Sequence, residues 1–266
     1  MSYAYVHGYE RRANARLQDQ HDALVDLLHH DTRYPEGSRV LEAGCGTGAQ
    51  TATLTRNSPR AQFVSIDIST KSLAAAKEKV PAANVQFQQA DVLALPFAPA
   101  SFDHVFVCFL LEHLPRPLEA LERLKAVLKP GGTITVIEGD HGSTYFHPDS
   151  AAAYDAIRCQ VELQRRSGGN ANIGRELYPL VTRAGFDAVR VSPRMVYVDS
   201  SRPHLVEMFT RRTFAAMIEG VREDALQAGL ISAERFDEGI RALYRSADTD
   251  GVFCYTFFKG TGTRPK

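Results

Sequence analysis

Gly44, Gly46 and Gly48 stand in a G-x-G-x-G run, with Glu42 just ahead and Asp67 19 residues after Gly48. Glycines at that density let a strand turn sharply into a helix and let a ligand approach the main chain. An acid at the end of the following strand can accept hydrogen bonds from both hydroxyls of a ribose lying across the carboxyl ends of two parallel strands. The spacing departs from the G-x-G-x-x-G of dinucleotide sites. Glu42 would also meet a pyrophosphate as a like charge in a desolvated turn. A carboxylate there suits a cationic or zwitterionic ligand. Cys45 sits inside the run, where the turn needs only a small residue, so a nucleophilic thiol is not expected.

A second group follows Glu138-Gly139. Asp140-His141-Gly142, with Tyr145, Phe146 and His147 close behind, is expected to form a loop at the carboxyl end of a strand, beside the ligand crevice. Asp140 and His141 are the candidates there for orienting or deprotonating a substrate. The plainer alternative is a turn-capping Asp140 and a solvated His141. Asp140, His141, His147 and Asp149 could be read as metal ligands, but no second cluster of carboxylates accompanies them, and no metal is expected. His113, after Glu112, either faces the ligand or caps a short helix ended by Pro115. Arg175 either meets an acidic substrate group or is a solvated first-turn residue.

The elements that must hold these residues alternate strand-like and helix-like patterns from Arg39 to Val136, which predicts a parallel sheet covered on both faces. Strands are expected at Arg39–Ala43, Gln62–Asp67, Asn84–Gln89, His104–Phe109 and Thr133–Glu138. Ser69 is suited to cap a helix over 70–79. Pro117 opens another, with Leu118, Leu121, Leu124 and Leu128 at helical spacing. Lys129-Pro130-Gly131-Gly132 reads as a breaker before the fifth strand. Farther on, Ala151–Arg166 and Glu176–Ala184 read as helices, and final strands fall within 186–199 and 252–259. Pro203–Ala247 reads as two helices inserted between them. One domain over 1–266 accounts for this, with an N-terminal helical segment (1–36), a ligand-binding core (37–142) and helical cap segments (143–185 and 203–247).

Over about residues 37–140 the chain resembles the class I S-adenosylmethionine-dependent methyltransferases, in particular the small-molecule, ubiquinone/menaquinone-methyltransferase-like branch. The resemblance is carried by five ordered motifs. They are Val40-Leu41-Glu42-Ala43-Gly44-Cys45-Gly46-Thr47-Gly48, then Asp67, then Gln89-Ala90-Asp91-Val92 through Phe97. Phe102-Asp103-His104-Val105-Phe106 through Leu111-Glu112-His113-Leu114 comes next, and Leu128-Lys129-Pro130-Gly131-Gly132 ends the series. It implies a Rossmann-like α/β fold, with a seven-stranded, mainly parallel sheet, helices on both faces and helical cap insertions. It also implies S-adenosylmethionine as cofactor and S-adenosylhomocysteine as product. The loop Glu42, Gly44, Cys45, Gly46 and Gly48 would hold the methionine moiety and Asp67 the ribose, with Ile68 beside it. Asp91 would take the adenine amino group while Val92 packs on the ring, and Phe109 would line the methionine arm. The N-terminal segment of such enzymes often folds over the cofactor, which makes Tyr9 a lid contact.

Composition narrows the partners. In 266 residues, 31 Lys and Arg balance 31 Asp and Glu, which argues against broad phosphate neutralisation of a nucleic acid. The longest strongly apolar run, Val105–Leu111, is far short of the roughly 20 residues of a spanning helix, and the start Met1–His7 lacks the features of a signal peptide. Cys45, Cys108, Cys159 and Cys254 are scattered, as in a reduced cytoplasmic protein. The expected function is methylation of a small, partly apolar acceptor at O, N or C by in-line displacement, achieved mainly by positioning. Methylation of RNA or protein, or nucleotide binding without catalysis, are the alternatives. The 203–247 insertion, rich in Met208, Phe209, Met217 and Ile218, is expected to line the acceptor pocket or a homodimer contact over it.

Overall fold

The computed structural model describes residues 23–266, so Tyr9 lies outside the described residues. The chain runs from helical residues 23–29 (α1) into β1 (Arg39–Ala43), α2 (Ala49–Asn57), β2 (Gln62–Asp67), α3 (Thr70–Lys79), β3 (Val85–Gln89) and β4 (Phe102–Cys108). A 3-10 turn (Leu111–His113) leads to α4 (Pro117–Val127) and β5 (Leu128–His147). After α5 (Ala151–Arg166) and a second 3-10 turn (Ile173–Glu176) come α6 (Leu177–Arg183) and β6 (Asp187–Val198). The remaining elements are α7 (Pro203–Leu205), a π-helix (Val206–Ala215), α8 (Ala216–Glu219), α9 (Arg222–Gln227), α10 (Ala233–Arg245) and β7 (Val252–Thr263).

The seven strands are ordered β3-β2-β1-β4-β5-β7-β6, and the β1–β2, β1–β4, β2–β3 and β4–β5 pairs are parallel. Right-handed crossovers through helices produce this order naturally, because strands one and four become neighbours when the winding reverses. β1 and β4 are therefore the central pair, and ligands of such sheets bind outside the carboxyl ends of the strands that flank the reversal.

The described chain falls into two units. The core unit comprises Val25–Glu138, Ile173–Pro193 and Phe258–Lys266. Its buried cluster includes Leu41, Val64, Val105, Leu121, Ile134 and Leu177, the apolar positions of strands covered by helices. Local signals do what the sequence suggested. Ser69 caps α3 by accepting the N–H of Ser72, and Pro117 occupies the first turn of α4. The second unit comprises Gly139–Asn172 and Arg194–Phe257, with residues 23–24. There α5 and α10 cross closely: a Cβ on Gly239 would lie 2.4 Å from the carbonyl oxygen of Ala152. Arg235 on α10 also meets Asp155 on α5 at 2.8 Å.

Three expectations need correction. Lys129–Gly132 does not end a segment before the fifth strand. It lies within β5 as an irregularity, where Phe102 pairs with Leu128 but His104 with Thr133. Arg264 explains why the glycines stay in the sheet, since its carbonyl accepts from Gly131 and its N–H donates to Gly132. Second, Asp140–His147 is not a loop but the end of the 20-residue β5. Third, the 203–247 insertion is five short helical pieces instead of two helices. Its π-helix is a wide, rare winding often found at functional positions.

Candidate functional site

In the core unit, β1 delivers Glu42 to the turn that opens α2. Glu42 is buried, and its Oε2 accepts the hydroxyls of Thr51 (2.7 Å) and Ser65 (2.6 Å). Its Oε1 is buried without a hydrogen-bond partner. Burial pushes Glu42 up to about 7, against the two hydroxyls that favour its ionised form, and the charge of Asp67 adds to the rise. A buried carboxylate with one unmatched oxygen costs on the order of 1–3 kcal/mol. The cost is tolerable where a cation completes the site.

The turn itself needs its glycines. Gly44, Gly46 and Gly48 have φ of 75°, 51° and 80°, the left-handed region that residues with a Cβ avoid. Gly48 is also crowded, because a Cβ there would lie 3.1 Å from the Cβ of Ala76. Gly44 lies against Leu110, whose Cδ1 would be 2.9 Å from an added Cβ. Cys45 is buried, and burial together with Glu42 and Asp67 pushes its thiol up, which disfavours the thiolate that nucleophilic chemistry needs.

Asp67 ends β2 and braces this turn. Its Oδ2 accepts the N–H of Gly46 and its Oδ1 that of Ser69, each at 2.8 Å. Burial raises Asp67 above its ordinary value against these bonds. Each carboxylate oxygen can accept more than one hydrogen bond, so the backbone fixes Asp67 while leaving acceptor capacity for two hydroxyls. Ile68 beside it is 45% exposed. Asp91 accepts the N–H of Leu93 at 2.9 Å in a turn after β3, with Val92 buried behind it. Phe109 follows β4 with φ of 55°, a strained conformation for a bulky residue that concentrates at ligand sites.

Sequence reasoning missed Glu138. This side chain is fully buried, and its Oε1 accepts the N–H groups of Leu110 (3.1 Å) and Leu111 (2.8 Å). It thereby holds the segment after β4 that touches Gly44. No single-sequence signal marks a bond spanning 27 residues.

Asp140 and His141 lie in the second unit and are both buried. The alternative of a solvated His141 is therefore wrong. His141 places Nδ1 3.0 Å from the hydroxyl of Tyr255, a residue that the sequence did not single out. Phe214 lies against both rings, and Phe209 packs on Phe253, Tyr255 and Phe257. Gly139 makes room for Tyr255, whose hydroxyl would be 2.3 Å from a Cβ at that position. Phe209 and Ile218 are consumed in this core, leaving Met208 and Met217 half-buried. Among the described residues no group of His, Cys, Asp and Glu is arranged to hold a metal, and no helix is long and apolar enough to cross a membrane.

Comparison with known proteins agrees with this geometry. Residues 41–136 match the family model described as a methyltransferase domain. Demethylmenaquinone methyltransferase of Staphylococcus aureus is 34% identical over 132 residues, 49% of this chain and 55% of the relative. The chain thus matches about half the length of that curated relative. A Bacillus halodurans structure described as a methyltransferase aligns with a TM-score of 0.59 at 18% identity, covering 91% of this chain and 99% of the other. A Haemonchus contortus phosphoethanolamine N-methyltransferase, solved with S-adenosylhomocysteine, aligns with a TM-score of 0.57 at 19% identity, over 93% of this chain and 53% of the other. At such identities the two structures speak for the fold alone. Residues 41–136 are thus similar to a methyltransferase domain, and the sheet order agrees with the fold of the two aligned structures.

Proposed function

We propose that this protein transfers a methyl group from S-adenosylmethionine to a small-molecule acceptor. The observation that carries the reading is the pairing of Glu42 with the glycine turn. A buried carboxylate with one oxygen saturated by Thr51 and Ser65 and the other unmatched fits the ammonium of a methionine moiety. Asp67, braced by backbone, fits the two ribose hydroxyls. On this reading Asp91 receives the adenine amino group, Ile68 and Val92 flank the ring, and Gly44, Cys45, Gly46, Gly48 and Phe109 line the methionine arm. Tyr9 would close over it.

When bound, the cofactor supplies an electrophilic methyl on a sulfonium. The chain's part is to hold an acceptor atom in line with that methyl and to exclude water, which can supply most of the rate. A proton acceptor is needed only where the attacking atom carries a proton that must leave. Asp140 and His141 are the proposed groups, with Tyr255 fixing the imidazole of His141. The acceptor is proposed to be small and partly apolar, met by segments 143–185 and 203–247, with Met208 and Met217 as an adaptable wall in one subunit or across a homodimer. We place the protein in the cytoplasm, acting on neither nucleic acid nor membrane. Support for a quinone-like acceptor comes from the Staphylococcus aureus relative.

The test is transfer of an isotopically labelled methyl group from S-adenosylmethionine to reduced demethylmenaquinone and to phosphoethanolamine as probes, read by mass spectrometry. Labelled product from either probe, lost in Asp67→Ala, supports the reading. A protein that binds no S-adenosylmethionine refutes it.

A further inference from the structure

Glu138 is a buried carboxyl with two opposed influences on it. The backbone N–H groups of Leu110, Leu111 and Glu112 favour its ionised form, while burial and the negative charge of Glu112 favour the acid and prevail, holding it well above the usual carboxylate range. Only Oε1 is engaged by Leu110 and Leu111; Oε2 is buried without a hydrogen-bond partner. The charged and titratable groups around it come from several elements of the core unit. Glu112 and His113 lie on the 3-10 turn, 3.5 Å apart. Cys108 on β4 feels Glu138, Glu42 and Glu112, and also Lys259 of β7, whose positive charge opposes theirs.

The same carboxyl is mechanically tied to the glycine turn. It holds Leu110, Leu110 packs against Gly44, and Phe109 between strand and turn is kept at φ 55°. A positive charge brought to that turn would be felt by a buried carboxyl whose Oε2 has no hydrogen-bond partner, because fields inside a low-dielectric interior are weakly screened.

Building on the cofactor reading above, we propose that the Glu112–Glu138 carboxyl pair reads the charge on the cofactor's sulfur. Binding of the cationic sulfonium form releases the proton on Glu138 to solvent, leaving a carboxylate in the interior behind the glycine turn. Binding of the neutral thioether product releases none. The pair therefore favours substrate cofactor over product and eases exchange after each turnover. Glu138 is a positioning residue that also sets selectivity, and it takes no part in breaking or making the carbon–sulfur bond.

Calorimetric titration with S-adenosylmethionine and with S-adenosylhomocysteine, at about pH 6 and about pH 8.5, tests this in the wild type, Glu138→Gln and Glu112→Gln. Release of a whole proton makes affinity rise about tenfold per pH unit. The ratio of the two affinities should therefore rise at least roughly tenfold across the range in the wild type and less than about twofold in Glu138→Gln. Glu42 is assigned to the ammonium common to both ligands, so its titration cancels in the ratio. A flat wild-type ratio, or the same rise in Glu138→Gln, overturns the proposal while leaving the cofactor reading intact. Failure of the wild type to bind either ligand overturns both. Should Glu138→Gln not fold by thermal melting, Glu112→Gln decides. Without the neighbouring charge the rise should move to lower pH, and an unmoved rise overturns the proposal.

Discussion

Glu42 makes a quantitative prediction about stability as well as binding. Its carboxyl ordinarily titrates at 4.5 and stands at about 7 in the fold. That difference corresponds to about 3 kcal/mol at roughly 1.4 kcal/mol per pH unit. Because the folded value is the higher one, the native state holds the proton more tightly than the unfolded chain. The contribution is fully present below 4.5 and is lost as pH rises through about 7, by which point the native state must bury a carboxylate. Glu42→Gln keeps an oxygen for Thr51 and Ser65 but cannot ionise. Urea denaturation of both proteins across about pH 4 to about pH 9 should therefore show the wild type losing about 3 kcal/mol relative to Glu42→Gln. Taking the difference removes carboxylates common to both, such as Asp103, on which desolvation is outweighed by the combined bonds to Lys129 and the Arg39 N–H, so that it titrates below its ordinary value. Parallel stability curves would show that Glu42 ionises freely in the fold and that its unmatched oxygen is not a cation site.

Asp67→Ala should weaken both S-adenosylmethionine and S-adenosylhomocysteine by about 2–3 kcal/mol in calorimetry, and a change within about twofold refutes the ribose assignment. Gly48→Ala should lower stability by about 1–3 kcal/mol in thermal or urea unfolding, because φ is 80° and the added methyl meets Ala76; an unchanged midpoint would deny the strain. Methyl transfer should survive EDTA, and loss of turnover restored by magnesium would revive the metal reading of Asp140, His141, His147 and Asp149.

Much of the core was legible because its signals are local. β1 and β2 fall where apolar runs meet the glycine turn and Asp67, and α5 spans the expected Ala151–Arg166. The glycines revealed themselves because only they occupy positive φ cheaply. What escaped depends on partners far along the chain. Lys129–Gly132 looks like a breaker until Arg264 pairs with it, 132 residues after Gly132. Asp140–His147 has loop-like composition, yet burial makes it strand. Tyr255 lies 114 residues from His141, and nothing in either local sequence announces the contact. Glu138 read as the last residue of a strand because its role lies in which backbone N–H groups its side chain reaches. Composition indicated an adaptable apolar insertion, but only packing shows that Phe209 and Ile218 are spent on the second unit's own core.

The central claim is that the Glu42–Gly48 turn and Asp67 form a site for S-adenosylmethionine. Calorimetric titration of the wild-type protein with S-adenosylmethionine tests it most directly. The account predicts one site per chain with a dissociation constant on the order of micromolar, about −8 kcal/mol, and saturable heat that Asp67→Ala abolishes at the same concentrations. No saturable heat from a folded wild-type protein, or an isotherm unaltered by Asp67→Ala, would contradict it.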